Sequence, residues 1–261
     1  GKGGGAWCGG YRSQTYENGK RVVPIVTTVF NFSKPAEGQP ALLTADETET
    51  VFHEFGHALH SLFGDVHYYG VSDVPRDFVE LPSQVDEHWA FEPEVLKVYA
   101  KHYQTGEVIP QALVEKMTNA GKYGQGFATT EYVAASLLDM DYHVLKEIPK
   151  DFDIEKFEAQ KMSDRGLISQ IPPRYRTTYF GHTMEGGYTA GYYSYMWAEV
   201  LDCDAFQAYV ETGDIFNQTV AQKFRQYVLT PGGIDDAMDM YVNFRGKKPS
   251  IEPLLKNRGL K

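Results

Sequence analysis

A chain of 261 residues with 42% hydrophobic content can bury a sizeable core, as one large domain or two small ones. Its formal charge of −10 argues against nucleic acid and anionic membranes as partners, and no stretch is apolar enough to span a bilayer. Two cysteines, Cys8 and Cys203, are too few for a disulfide framework and lack metal-site spacing, which favours a reducing, cytoplasmic compartment; a periplasmic or exported one stays open.

Residues 1–10 read as a glycine-rich loop interrupted by Trp7 and Cys8, without the strand–helix context of a phosphate cradle. The opening Gly-Lys-Gly-Gly-Gly, without Met, is the start expected of a fragment or a processed product. Tyr11–Tyr16 and Arg21–Phe32 then flank Glu17-Asn18-Gly19-Lys20, and Asn-Gly between β-rich runs predicts a hairpin. Pro24 places part of the second strand at a sheet edge. Residues 33–43 form a turn-rich link.

Thr44 to Gly64 predicts a helix. Thr44-Ala45-Asp46-Glu47 fits a capping box, with a hydroxyl at the N-cap and a carboxylate three residues on. Asp46, Glu47 and Glu49 put negative charge where the helix dipole favours it, and Gly64 is a natural stop. Phe52, Phe55, Leu59, Leu62 and Phe63 fall on one apolar face, which predicts a buried helix with His53, His57 and His60 along its border. Within it stands His53-Glu54-Phe55-Gly56-His57, an H-E-x-x-H motif. Imidazoles at i and i+4 share a helix face and can reach one zinc ion, and the intervening glutamate can serve as base without ligating. A helical His pair is also compatible with plain core or surface packing.

After Gly64 a tyrosine-bearing loop (His67, Tyr68, Tyr69, Gly70) leads to Asp77-Phe78-Val79-Glu80. The pattern from there to Ala100 is mostly helical, with Pro82 perturbing its start. Glu94–Tyr103, Pro110–Ala120, Gly126–Glu147 and Ile154–Asp164 read as helices, and Leu167–His182 as irregular. Gly187–Tyr209, Gln218–Leu229 and Ile234–Phe244 are further helices, followed by a basic tail. The expected fold is mainly α with a small β-sheet at the front.

A third metal ligand has two candidates here. His60 lies near the line of His53 and His57, but one straight helix seldom gives three ligands to a tetrahedral ion, and Phe63 stands where a metzincin has His. Glu80 is the better choice, an acid between Phe78, Val79 and Leu81 that is costly to bury without a cation. Glu87, two turns on, can accept an imidazole N–H or be a surface acid.

These runs resemble a known family. His53 to His60 followed by Asp77-Phe78-Val79-Glu80-Leu81-Pro82-Ser83-Gln84 is similar to the thimet-oligopeptidase-type zinc metallopeptidases, family M3. Gly5-Ala6-Trp7, Tyr11-Arg12-Ser13-Gln14, Glu87-His88-Trp89-Ala90, Ile171-Pro172-Pro173-Arg174-Tyr175-Arg176 and the closing Phe244 to Leu260 resemble its bacterial peptidyl-dipeptidase branch. The resemblance implies an α+β, zincin-like catalytic region over 1–261, made of a small sheet and loop (1–43), the motif helix (44–64) and a helical remainder. It implies that an N-terminal part of a deep substrate channel is missing.

It further implies one zinc per chain on His53, His57 and Glu80, with Glu54 as general base. Phe180-Gly181-His182 and Gly186 to Tyr195 match the family's second catalytic segment, which makes His182, Tyr188 and Tyr195 donors to the transition state and Tyr192 a substrate-channel residue. Tyr188, Tyr192 and Tyr195 at i, i+4 and i+7 would line one helix face, where the tyrosines and a lone histidine can equally be core. The expected function is release of C-terminal dipeptides from oligopeptides, with two alternatives: internal cutting of short peptides, or a fragment inactive on its own that retains only metal and peptide binding. Arg174 and Arg176 are candidates for the substrate carboxylate, since guanidinium binds it bidentately, and both can equally be surface ion pairs. The expected partner is an oligopeptide, with no nucleic acid or membrane and a monomeric state.

Overall fold

The computed structural model describes residues 2–68 and 70–261; Gly1 of the glycine-rich loop and Tyr69 of the tyrosine-bearing loop lie outside them. In chain order the elements are strands β1 (Trp7–Arg12), β2 (Thr15–Glu17), β3 (Lys20–Val22) and β4 (Ile25–Val29), then helices α1 (Ala45–Phe63), α2 (Glu80–Ala90), α3 (Pro93–Tyr99) and α4 (Gln111–Gly121). There follow α5 (Gln125–His143), α6 (Ile154–Asp164), α7 (Gly181–Met184), α8 (Ser194–Val210), α9 (Gln218–Phe224), α10 (Ala237–Arg245) and α11 (Glu252–Asn257). The fold is mainly helical with a small β content, as the sequence predicts. The chain forms two compact units, one of residues 1–118 with 198–261 and one of 119–197.

In the first unit β1 pairs antiparallel with β4, and β2 with β3. The β2–β3 hairpin turns on Asn18 and Gly19, both at positive φ (50° and 73°), the type I′ geometry that Asn-Gly favours. The long second strand of the sequence reading is two strands, because Val23-Pro24 interrupts it and Pro24 has no N–H for the ladder. Helix α1 packs on β1, β4 and, most closely, α2. Its capping box is formed: Thr44 Oγ1 accepts the Glu47 N–H at 3.1 Å, and Glu47 Oε2 accepts the Thr44 N–H at 2.9 Å.

The predicted apolar face of α1 is only partly buried. Phe55 is 54% exposed and Leu62 41%, whereas Glu54, Gly56 and Ala58 are the buried positions. The reason is close packing: the absence of a side chain at Gly56 lets α2 approach where a bulky one would hold it off. A Cβ on Gly56 would lie 2.5 Å from the Pro82 carbonyl oxygen and 2.7 Å from Ser83 Cα.

Helix α2 is fixed on its other side by α8 residues of the same unit. Asp202 Oδ1 meets His88 Nε2 at 2.7 Å and Asp202 Oδ2 accepts from Gln84 at 2.9 Å. His88 also stacks on Phe206. The loop between α1 and α2 is tied near its start, by the Asp65 N–H to the Thr230 carbonyl (3.0 Å), and at its middle, by the Gly233 N–H to the Val71 carbonyl (2.8 Å). The expected helix Gln218–Leu229 ends at Phe224 and continues as one π-helical turn, Arg225–Leu229.

The second unit has two small cores. Tyr132, Ala135, Phe180 and Tyr192 form one, and Ala134, Leu138 and Met162 the other. Buried Asp141 takes both arms of Arg165 (2.8 and 3.0 Å), and buried Glu158 pairs with Arg176. Here the structure corrects the expected helix Gly187–Tyr209: residues 185–193 are turns, and α8 begins at Ser194. Gly186, Gly187 and Gly191 favour non-helical backbone, and the Ala190 and Tyr192 N–H groups bond Asp139 instead of a preceding turn.

Candidate active site

The metal-type residues meet in the first unit. His53 and His57, one turn apart on α1, present Nε2 atoms 3.3 and 3.1 Å from Oε2 of Glu80, the first residue of α2. Glu80 is 2% exposed, and the two imidazole rings lie edge to face at 4.9 Å. His60 does not join them. Its Nε2 is enclosed without a protein hydrogen-bond partner, and burial, with the charge of His57, lowers its pKa to about 4.

The neighbouring groups hold these side chains in place. Glu87 Oε1 meets His53 Nδ1 at 2.5 Å, leaving Nε2 to face Glu80. Ser83 Oγ donates to Glu80 Oε2 at 2.8 Å. Ser83 was not singled out from sequence, though its i+3 spacing from Glu80 on one helix was the available signal. Burial opposes a charged His53, but the carboxylates of Glu80 and Glu87 outweigh it and raise the pKa to about 10. Burial likewise opposes the Glu80 carboxylate, and hydrogen bonds from His53 and His57 hold it well below the usual range.

The donor set fits a zinc ion. Two imidazole nitrogens and one carboxylate oxygen, all within 4.8 Å of one another, are a common catalytic set that keeps a fourth position open. With bonds of about 2.0–2.1 Å, the edge of a ligand tetrahedron is about 3.4 Å. The observed 3.1 and 3.3 Å separations are close to that edge. Glu54, between the two histidines, is 4% exposed, and its Oε2 is enclosed without a protein partner. Burial raises its pKa. Cys8 on β1 is not a nucleophile candidate, since burial and the charge of Glu54 push its thiol up to about 11.

The aromatic residues meet in the second unit. Tyr188 stacks on Tyr195 at 5.1 Å, and His182 lies within 6.0 Å of Tyr175, Tyr188, Tyr192 and Tyr195 by ring centroids. The three tyrosines therefore gather, but not along one helix face: only Tyr195 is on α8, and a turn folds Tyr188 back onto it. Tyr192 is 2% exposed and packs in the core, where burial pushes its phenol far up. Arg176 pairs with buried Glu158, the ion-pair alternative for that residue. Arg174 is exposed, with its guanidinium 6.0 Å from the Tyr175 ring centre.

The family model for peptidase family M3 matches residues 1–260. The chain belongs to that family. It is 43% identical over 262 residues to dipeptidyl carboxypeptidase of Escherichia coli (strain K12), covering 99% of this chain and 38% of that protein. It is 38% identical over 269 residues to oligopeptidase A of the same organism, covering 100% of this chain and 39% of the relative. Saccharolysin of Saccharomyces cerevisiae is 35% identical over 246 residues, covering 92% and 34%. The chain thus spans about two-fifths of the length of these curated relatives. No helix among the described residues is long and apolar enough to cross a membrane.

Proposed function

We propose that the chain carries the metal centre of a zinc-dependent peptidase that releases C-terminal dipeptides from oligopeptides. The observation that carries this reading is the convergence of His53 and His57 on Glu80, with buried Glu54 alongside. In it His53, His57 and Glu80 hold one zinc ion, which supplies Lewis-acid polarisation and lowers the pKa of water from 15.7 to about 7. Glu54 takes a proton from water at its carboxylate and returns it to the leaving amine. A buried carboxyl with a raised pKa suits both transfers. Glu87 fixes the tautomer and orientation of His53, and Ser83 fixes the Glu80 carboxylate. His182, Tyr188 and Tyr195 donate hydrogen bonds to the oxyanion of the tetrahedral intermediate, each such donor contributing about 3 kcal/mol. Tyr192 anchors this cluster from within the core.

Dipeptide release needs a cation for the free carboxylate of the substrate, and exposed Arg174 supplies it in this reading. Support comes from the 43% identity to a dipeptidyl carboxypeptidase, while the 38% identity to oligopeptidase A favours internal cutting as a second reading. Three measurements test the proposal. Elemental analysis should find one zinc per chain, lost in Glu80→Gln. Glu54→Gln should keep zinc and, in a protein of the relatives' full length, lose turnover; a Gln variant with most of its activity removes Glu54 from the chemistry. Digestion of free-acid peptides should yield successive C-terminal dipeptides while amidated peptides are spared by about 2–5 kcal/mol of transition-state binding. Internal fragments from the first time point would assign the oligopeptidase mode instead.

A further inference from the structure

The second unit holds a buried carboxylate that neither the metal chemistry nor the oxyanion donors use. Asp139, on α5, is 0% exposed. Its Oδ1 accepts the backbone N–H of Ala190 and its Oδ2 that of Tyr192, both at 3.0 Å. His143, one turn along α5, points Nδ1 at the same Oδ1 (2.8 Å) and at the Asp139 carbonyl (2.7 Å). Two acceptors facing Nδ1 mean that this nitrogen carries the proton. One carboxylate therefore gathers three donors, two of them from the turn between Tyr188 and Tyr195.

That turn is held in a conformation its sequence does not favour. Ala190 has φ +51°, the left-handed region that a residue with a Cβ seldom occupies. Leaving it would carry away the Ala190 N–H and redirect both flanking tyrosines. A second tie from α5 acts on the same turn: the Tyr132 hydroxyl donates to the Tyr192 carbonyl and accepts the Met196 N–H at 3.2 Å. The Tyr188 N–H meanwhile bonds the His182 carbonyl at 2.9 Å, so His182 and Tyr188 are registered to each other through backbone.

We propose that Asp139 is a positioning residue, a buried clamp that sets the Tyr188–Tyr195 turn and with it the hydroxyls that bind the transition state. The catalytic consequence rests on the peptidase reading above; the clamp does not. A carboxylate is required by donor count. An amide in its place keeps one acceptor and points an N–H donor at the N–H of Ala190 or Tyr192.

The test uses the full chain with zinc and compares wild type with Asp139→Asn, Ala190→Gly and the double variant. Glycine accepts the left-handed conformation, so it should restore the turn when the clamp is weakened, which a general loss of packing would not allow. In Asp139→Asn the Ala190 and Tyr192 amides should exchange with deuterium about tenfold faster or more, with one zinc still bound. Its kcat should fall about tenfold while KM changes less, and Ala190→Gly in that background should recover part of the kcat. Unchanged exchange at both amides overturns the clamp. Faster exchange with kcat within about twofold of an active wild type overturns the positioning role. Should both Asn variants fail to fold, Asp139 is a plain structural residue and the proposal fails. A zinc-bound wild type of the relatives' full length that cleaves no peptide overturns the peptidase reading, and the exchange result still decides the clamp.

Discussion

Replacing Gly56 by Ala should damage the metal centre although residue 56 has no side chain to lose. The added Cβ would lie 2.5 Å from the Pro82 carbonyl oxygen, 2.7 Å from Ser83 Cα and 3.0 Å from the Pro82 carbonyl carbon. Ordinary contact starts at 3.4 Å, so relief needs 3.4 − 2.5 = 0.9 Å of movement. Every atom it meets is backbone of α2, so no flexible side chain can yield. Ligand distances tolerate only about ±0.2 Å. Glu80 is two residues from Pro82 and its carboxylate is held by Ser83, so a shift of α2 moves the proposed third ligand several times that tolerance. The expected cost is about 1–3 kcal/mol of overpacking and about a 10–100-fold loss of zinc affinity. Alanine's better helix propensity, worth up to about 1 kcal/mol, works the other way, so a net loss isolates the clash. Competition against a chromophoric chelator reads the affinity, and circular dichroism checks the fold. Gly64→Ala, where the nearest atom would be 3.5 Å from the Cβ, serves as control. A folded Gly56→Ala protein with wild-type zinc affinity would refute the close approach of α1 and α2 as the device that sets the site.

Other expectations follow from the same contacts. Glu87→Gln removes the charge opposite His53 Nδ1 and should lower zinc affinity about tenfold, measured by the same competition. His60 has a folded pKa of about 4, against about 6.5 in the unfolded chain, so the unfolded state takes up its proton first. That contribution is fully present above pH 6.5 and is lost as pH falls toward 4. Relative to non-titrating His60→Gln, wild type should lose about 3 kcal/mol between pH 7 and pH 4 in chemical denaturation, and parallel curves would refute it. Arg176→Ala strips buried Glu158 of its cation and should cost about 1–2 kcal/mol of stability without changing the free-acid preference, whereas Arg174→Ala should do the reverse.

Local signals were the legible part. The capping box at Thr44, the Asn18-Gly19 hairpin and Ile154–Asp164 stand where composition and spacing put them, because each is decided within a few residues. Glu80 was legible for an energetic reason, an acid among apolar neighbours needing a cation, and the fold buries it against two imidazoles. The exposure of Phe55 was not legible. Apolar periodicity assigns a face but not what covers it, and where α2 comes closest α1 carries Gly56, which has no side chain. Nor did sequence single out Gly56, since a glycine inside a helix reads as a weak point until a second backbone is found against it.

The tyrosine segment shows what such spacing can and cannot carry. An i, i+4, i+7 reading named three residues that do gather, yet the geometry that gathers them is a turn with a left-handed alanine. On a helix, the spacing of the phenols would be set by the segment's own hydrogen bonds and would survive changes elsewhere. Here the Ala190 and Tyr192 N–H groups are spent on Asp139, and the Tyr192 carbonyl on Tyr132, both from α5 and fifty or more positions earlier. The placement of the tyrosines is therefore a property of α5 as much as of their own sequence. Substitutions at Asp139 or Tyr132 should move them although both leave the tyrosine segment's own sequence intact. A period count within one segment contains no term for that dependence, because the partner that decides it lies in another.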